Sequence, residues 1–366
     1  MRYMRDTNSA IGPRDATRAA LSIAAQVRLC SERGVVAKRG VSLELRHETG
    51  AVLRPHVIGI CRSDAKEAAG RHPGPSRFGH ELVAEIVDCW GAEVLRIGDT
   101  VCLDPNVVLN RTSGFAELIL LDAPAERLEA ALYKVSRTCT SLENYVLAEP
   151  IACAEHCARI ATTAVHATPR SAVVVGAGTM GLFIAHALRR RGISVTLLNR
   201  SKARLRFVAT FSLEGITLGS LAEPARADLV VLATTFVSHE LLEKGFTIAA
   251  DQGRVVVFGG IDKAFGNFRG VDVRSLRLSE SHRWLTCGGG KQVEIVGSYG
   301  LASEDFLSAL RLIGSGDISQ SLLDELITGR HLLSELPSVL DAMNSGDDLG
   351  KRLIFPTSPS ESGILR

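Results

Sequence analysis

The sequence predicts an α/β protein in two parts, a small β-barrel lobe followed by a doubly wound parallel sheet. Three observations carry that expectation. Short alternating apolar runs, broken by Gly and charged turns, fill the stretch from Val27 to Leu121. A β-branched run, Val173-Val174-Val175, leads straight into Gly176-Ala177-Gly178-Thr179-Met180-Gly181 and then a helical pattern. Further apolar runs follow at intervals, each separated by helical or turn segments.

In chain order, residues 1–22 read as an extension, with a helical signal over 14–25. Strands are expected at 27–30, 41–45, 52–60, 82–87, 98–103 and 115–121. Around Ala148 the character changes, and a helix over 151–164 opens the α/β part. Strands at 172–175, 193–198, 228–233, 254–258 and 293–300 then make the parallel sheet. A final helix over 303–313 and the tail return to the β lobe. The expected division is 23–147 with 302–366 for the β-rich domain, and 148–301 for the parallel-sheet domain.

The glycine-rich stretch is the best-defined element. Met180, Phe183, Ile184, Ala187 and Leu188 recur at about 3.6-residue spacing, so one helix face is apolar. Three arginines, Arg189 to Arg191, occupy the last turn where cations favour the dipole, and Gly192 is placed to cap it. The apolar run 193–198 comes directly after. A strand–helix–strand unit of this kind is the Rossmann arrangement. Gly176, Gly178, Thr179, Met180 and Gly181 would leave free N–H groups at a helix start to hold a pyrophosphate.

Which dinucleotide is read from the end of the second strand. An NAD site places a carboxylate there for the ribose hydroxyls. This sequence has Asn199, then Arg200, Ser201, Lys202, Ala203 and Arg204. An amide among cations suits a 2′-phosphate, which a carboxylate would repel. The expectation is NADP(H), with Arg200 as first contact and Asn199, Lys202 and Arg204 around it; a solvated basic turn is the alternative.

Composition limits the rest. Lys plus Arg is 42 against 40 for Asp plus Glu, so no strong field invites nucleic acid or anionic lipid. No apolar run approaches the ~20 residues a membrane helix needs. The eight cysteines (30, 61, 89, 102, 139, 153, 157 and 287) form no C-x-x-C pair and lie in apolar contexts. That usage, with no signal-type apolar core near Met1, leads us to expect a cytoplasmic protein.

Residues that can do chemistry concentrate at Gly59-Ile60-Cys61-Arg62-Ser63-Asp64, Phe78-Gly79-His80-Glu81 and Ala148-Glu149-Pro150. A thiolate, an imidazole and a carboxylate form a proper tetrahedral zinc set that leaves one position for water or substrate. Spread over so long a stretch, these residues could equally be a buried cysteine and a satisfied core histidine.

Taken as an ordered set, C-R-S-D, G-H-E, G-D-x-V (98–101), G-F-A-E (114–117), A-E-P-x-A, G-x-G-x-x-G and G-S-Y-G resemble the zinc-dependent medium-chain alcohol dehydrogenase family. Glu149-Pro150 resembles its polyol and threonine dehydrogenase branch. The resemblance runs from about Val27 onward. It implies a GroES-like β-barrel catalytic domain beside the Rossmann cofactor domain, and one catalytic zinc per subunit. Cys61 and His80 would bind the metal, and Glu81 and Glu149 would supply the remaining ligands, one of them through water; alternatively Glu81 would only support a ligand from behind. Asp64 would hold a ligand's ring N–H, or simply cap the helix that follows. Ser63 would pass the alcohol's proton outward, and Lys66 stands where relatives end that relay with a histidine. Arg62 would contact the pyrophosphate, or be a surface cation.

The implied reaction moves hydride between nicotinamide and a carbonyl carbon, with zinc steadying the charge on oxygen. The expected substrate is a polyol, sugar or aminocyclitol-type secondary alcohol or its ketone, and reduction is the expected direction. A homodimer is expected because the 293–299 strand resembles the edge that pairs across subunits. The link from Asp104 to Gly114 has no cysteine, so no structural zinc is expected. Two rivals stay open: a zinc-free medium-chain alkene or quinone reductase, and a non-catalytic NADPH-binding protein.

Overall fold

The computed structural model describes residues 20–71, 76–135, 141–163, 168–211, 213–222, 226–345 and 349–356. The chain divides into one unit of Met1–Glu149 with Leu310–Arg366 and another of Pro150–Ala309. Both junctions fall inside continuous helices, Ala148–Thr162 and Ser303–Ser315, a little later than the expected 147/148 and 301/302.

The first unit is built on an eight-stranded sheet. Its main path runs Ile327–Leu332, Lys351–Phe355, Gly50–Gly59, Glu81–Trp90, Thr100–Leu103 and Leu132–Lys134. Ile119–Asp122 joins the open flank of Gly50–Gly59. Leu53, Ile58, Leu82, Ile86, Phe115, Ile119 and Ile354 face one core and are buried. Burying an Ile, Leu or Phe is worth about 1.5–3 kcal/mol each, so this core fixes the register of the strands that carry the site.

A separate hairpin pairs Ala20–Ser31 with Gly34–Glu44. This corrects the helical expectation over 14–25 for its described part. Ile23, Ala25 and Val27 are buried at period two, and pairing to the second strand overrides the helix propensity of the alanines. Residues 14–19 lie outside the described ones. The helix over 303–313 is not the last either: Gln320–Leu326 and Leu336–Ser345 follow it.

The second unit is a seven-stranded sheet ordered Ile216–Ser220, Ser194–Asn199, Ser171–Val175, Ala227–Leu232, Ala249–Val257, Gln292–Gly297 and His282–Thr286. The first six are parallel and the last antiparallel. Chain order reverses beside Ser171–Val175, which makes the carboxyl ends there the switch point where such sheets bind ligands. The strand expected at the edge, Gln292–Gly297, is hydrogen-bonded on both sides. The edge is His282–Thr286, with Trp284 on its exposed side.

Candidate metal centre and dinucleotide loop

Cys61 lies two residues beyond the apolar strand Gly50–Gly59 and is the N-cap of the helix Arg62–Ala68. Asp64, at the third helical position, accepts a hydrogen bond from the Cys61 backbone N–H at 2.8 Å, as a capping carboxylate does. Its other oxygen accepts from the Gly79 N–H at 3.0 Å. One buried carboxylate therefore ties the cysteine turn to the turn that carries His80 and Glu81. Gly79 is left-handed (φ +68°), and a Cβ there would lie 2.5 Å from the Phe115 nitrogen. The G-H-E and G-F-A-E stretches thus press together, with Phe78 and Phe115 edge-to-face at 4.7 Å.

Cys61 Sγ, a His80 ring nitrogen and a Glu81 carboxylate oxygen lie within 4.8 Å of one another. His80 and Glu81 are buried and Cys61 is half-buried. His80 Nδ1 donates to the Arg77 carbonyl at 3.0 Å, with Asp64 at 3.5 Å. The expected Asp64 contact is thus shared with a backbone oxygen, and this side of the ring leaves Nε2 as the ligating nitrogen. Burial opposes charging of His80, but Asp64 and the Cys61 thiolate outweigh it and raise its pKa well above the usual value. The donor set of thiolate, imidazole and carboxylate suits zinc.

Two features here lie outside what the sequence predicted. Lys351 is buried and ion-paired with Glu81. Burial alone would lower its pKa; the charges of Glu81, Cys61 and Glu149 reverse this and raise it. Gly59 makes the contact possible, since a Cβ there would meet the Glu81 carboxylate at 2.6 Å and Lys351 Cε at 3.0 Å. The second feature is the place of Glu149. It opens the helix Ala148–Thr162 close enough to influence Lys351, but is not in the set of donor atoms that converge. Lys351 had a readable signal: Lys351, Leu353 and Phe355 alternate on the buried face of a strand.

The Ser63 hydroxyl is buried and has no hydrogen-bond partner among the described residues. Arg62 donates to the Met343 carbonyl, fastening its helix to Leu336–Ser345. Lys66 lies in the last turn of the cysteine helix, half-buried.

In the second unit, Gly176 is left-handed (φ +117°) and a Cβ there would meet the Ala233 oxygen at 2.6 Å. A Cβ at Gly181 would lie 1.6 Å from the Gly176 oxygen. At Gly178, by contrast, a Cβ would meet no atom within 4 Å among the described residues beyond its own chain neighbours. Gly178 is also the N-cap of Thr179–Arg190 and provides no side-chain cap. The first and third glycines serve packing, while the second faces open space beside the N–H groups of Thr179, Met180 and Gly181, as a pyrophosphate cradle requires. Asn199 ends Ser194–Asn199 and accepts the Arg200 N–H at 2.8 Å. Ser201 caps the helix Lys202–Val208 by accepting from Arg204 N–H at 3.3 Å. Arg200 and Lys202 are exposed, and no ion pair is recorded for either among the described residues.

Lesser candidates resolve as packing or ion pairs. Burial pushes the Cys157 thiol up to about 12, so it is inert. His282 bonds Glu294 at 2.7 Å, and Asp262 caps a short turn at Lys263–Phe265. His72 and Cys139 lie outside the described residues.

Fold and donor set together define a class: a β-rich unit bearing a Cys–His–Glu cluster, with a Rossmann unit, as in zinc-type medium-chain alcohol dehydrogenases. Comparison with known proteins agrees. The chain is 28% identical to D-altritol 5-dehydrogenase of Agrobacterium fabrum over 57% of this chain and 68% of that one. It is 24% identical to L-galactonate-5-dehydrogenase of Escherichia coli over 85% and 92% of the two chains. Galactitol-1-phosphate dehydrogenase of E. coli superposes with a TM-score of 0.69 at 19% identity, covering 90% of this chain and all of that one. A family profile described as 3-hydroxyacyl-CoA dehydrogenase, NAD binding domain, matches residues 171–226. The resemblance to zinc-type polyol and sugar dehydrogenases therefore holds, with a nicotinamide-dinucleotide unit.

Proposed function

We propose that the protein is a zinc-dependent, NADP(H)-linked oxidoreductase that interconverts a secondary alcohol and a ketone. Its substrate class is a polyol, sugar or aminocyclitol-type molecule, and its working direction is ketone reduction. The carrying observation is the convergence of Cys61, His80 and Glu81. The naming of its relatives as altritol and galactonate dehydrogenases supports the substrate class.

In this reading Cys61, His80 and Glu81 would hold the metal, and Glu149 would be the further candidate ligand. Bound zinc supplies Lewis acidity to the substrate oxygen. Ser63, buried and without a hydrogen-bond partner among the described residues, gives or takes the hydroxyl proton, and Lys66 lies one turn further along the same helix to extend that path. Arg62, with one nitrogen held by Met343, keeps further donors for a pyrophosphate. Gly176 to Gly181 cradle the pyrophosphate. Asn199, Arg200, Lys202 and Arg204 favour the 2′-phosphate, because no carboxylate stands there to repel it. The exposed edge strand His282–Thr286 supports a homodimer formed by strand pairing. We assign the protein to the cytoplasm on its cysteine usage.

The test is NADPH oxidation over a panel of cyclic and sugar ketones, beside NADPH and NADH titrations of wild type and Arg200→Ala. The expected loss of NADPH affinity in the variant is about tenfold, for one charge-assisted phosphate contact, with NADH unchanged. Tighter binding of NADH than NADPH by wild type would overturn the coenzyme assignment.

A further inference from the structure

Glu280 stands where a helix end ordinarily calls for glycine. The helix Val273–Leu278 closes with Ser281 N–H on the Leu276 carbonyl at 3.1 Å and Glu280 N–H on Arg277 at 3.3 Å. That is the Schellman pattern, whose C′ residue must be left-handed. Glu280 fills it at φ +50°, a conformation that costs a side-chain-bearing residue stability. What the side chain does there accounts for its presence. Its carboxylate accepts from the Tyr299 N–H at 2.8 Å and bonds His156 Nε2 at 2.7 Å.

His156 in turn bonds Asp305 through Nδ1 at 2.7 Å, and Asp305 accepts from the Ala302 N–H at 3.0 Å. One imidazole thus bridges two carboxylates, and those carboxylates hold the two ends of the loop from Tyr299 to Ala302. Arg277 completes the support: it donates to the Phe258 carbonyl at 2.8 Å and lies 4.9 Å from the centre of the Tyr299 ring.

The position of this loop gives the clamp a purpose. It follows Gln292–Gly297 directly, at the carboxyl end of the sheet. The ribose-reading residue Asn199 ends the strand on one side of the glycine-loop strand. The nicotinamide half must therefore run the other way, across Ala227–Leu232 and Ala249–Val257 toward Gln292–Gly297. The last of these lies three strands from the glycine loop, roughly 14 Å at the usual strand spacing, which is within reach of an extended dinucleotide.

We propose that Glu280 and His156 are positioning residues that fix the Tyr299–Ala302 backbone against the nicotinamide half of the bound dinucleotide. This rests on the dinucleotide reading given above. The discriminating variant is Glu280→Gly, because glycine takes the left-handed position without backbone strain, which offsets part of the stability lost with the carboxylate's contacts to His156 and Tyr299. Binding of NADPH and NADH is measured beside binding of 2′-phospho-ADP-ribose and ADP-ribose, which lack nicotinamide. Expected is a loss of about five- to tenfold for the preferred full dinucleotide, the scale of one charge-assisted hydrogen bond, with its truncated analogue unchanged. Glu280→Gln, which keeps an acceptor for the Tyr299 amide, should fall between. Equal losses for both ligands, or none for either, would overturn the clamp. Wild type that binds the truncated analogues and discriminates neither full dinucleotide from them would also overturn it. Wild type that binds none of the four would sink the dinucleotide reading itself.

Discussion

Lys351 and Glu81 form an ion pair buried in the first unit, at 5% and 1% exposure, with Glu81 on the G-H-E strand and Lys351 on the closing strand. A pair so fully removed from water persists only if each charge satisfies the other. Glu81 is therefore both a prospective ligand and half of a structural pair, and the two roles can be separated.

In the metal-free protein, Lys351→Met should cost about 3–5 kcal/mol of stability, because it strands the Glu81 charge in the core with no cation to balance it. Adding Glu81→Gln should recover most of that loss. Urea unfolding of the two singles and the double variant checks it. Additive losses would mean that the pair is not coupled.

Asp64 binds the backbones of both ligand turns, at 2.8 Å to Cys61 and 3.0 Å to Gly79. Asp64→Ala should lower zinc affinity by about 10- to 100-fold, as loss of a supporting carboxylate does. It should also cost about 1 kcal/mol from the lost helix cap. Competition with a chromogenic chelator measures the first, and thermal unfolding of the metal-free protein the second. Unchanged affinity would remove Asp64 from the metal's support.

Two alanines in the glycine loop should behave oppositely. Gly178→Ala meets no atom within 4 Å among the described residues beyond its own chain neighbours, so it should leave stability unchanged and weaken dinucleotide binding at least about tenfold, where the cofactor must approach. Gly181→Ala puts a Cβ 1.6 Å from the Gly176 oxygen and should destabilise the unit by about 1–3 kcal/mol. Calorimetry of both variants, with and without NADPH, separates the effects. A destabilised Gly178→Ala with normal binding would contradict the assignment.

The His156 clamp makes stability pH-dependent. Burial opposes its charge, but Asp305 and Glu280 outweigh it and raise its pKa from 6.5 to about 9. For both carboxylates burial acts upward, yet their hydrogen bonds, led by that from His156, hold them below their usual range. A raised histidine contributes stability that is complete below its unfolded pKa and lost as pH rises through about 9. The lowered carboxylates contribute stability that is present above their unfolded pKa and lost as pH falls. Wild type should thus lose on the order of 3 kcal/mol between pH 6.5 and 9.5 from this site, and His156→Gln should show a flatter slope. Parallel slopes for the two proteins would refute the charged state of His156.

Local chemistry was readable in the sequence, and long-range partnership was not. The glycine loop declared itself because strand, turn and helix signals stand side by side at 173–191. Cys61, His80 and Glu81 were visible as residues, but their meeting depends on Asp64 bridging two turns, which no spacing rule encodes. Glu149, in the first turn of the helix Ala148–Thr162, is not among the donor atoms that converge with Cys61 in the described residues. The edge strand His282–Thr286 was missed because most of its residues are exposed, leaving no buried alternation to read. Ile216–Ser220, with a glycine inside, was missed for a similar lack of pattern. In the first hairpin 27–30 and 41–45 read as strand, while 20–25 read as helix because three of those six residues are alanine and pairing, not propensity, decides there.

The central claim is that Cys61, His80 and Glu81 grip one metal ion. Metal analysis of the purified protein beside Cys61→Ser tests it most directly. The account predicts close to one zinc per chain in wild type and a large loss in the variant. Wild type purified without zinc, and unable to take it up from a stoichiometric supply, would contradict it.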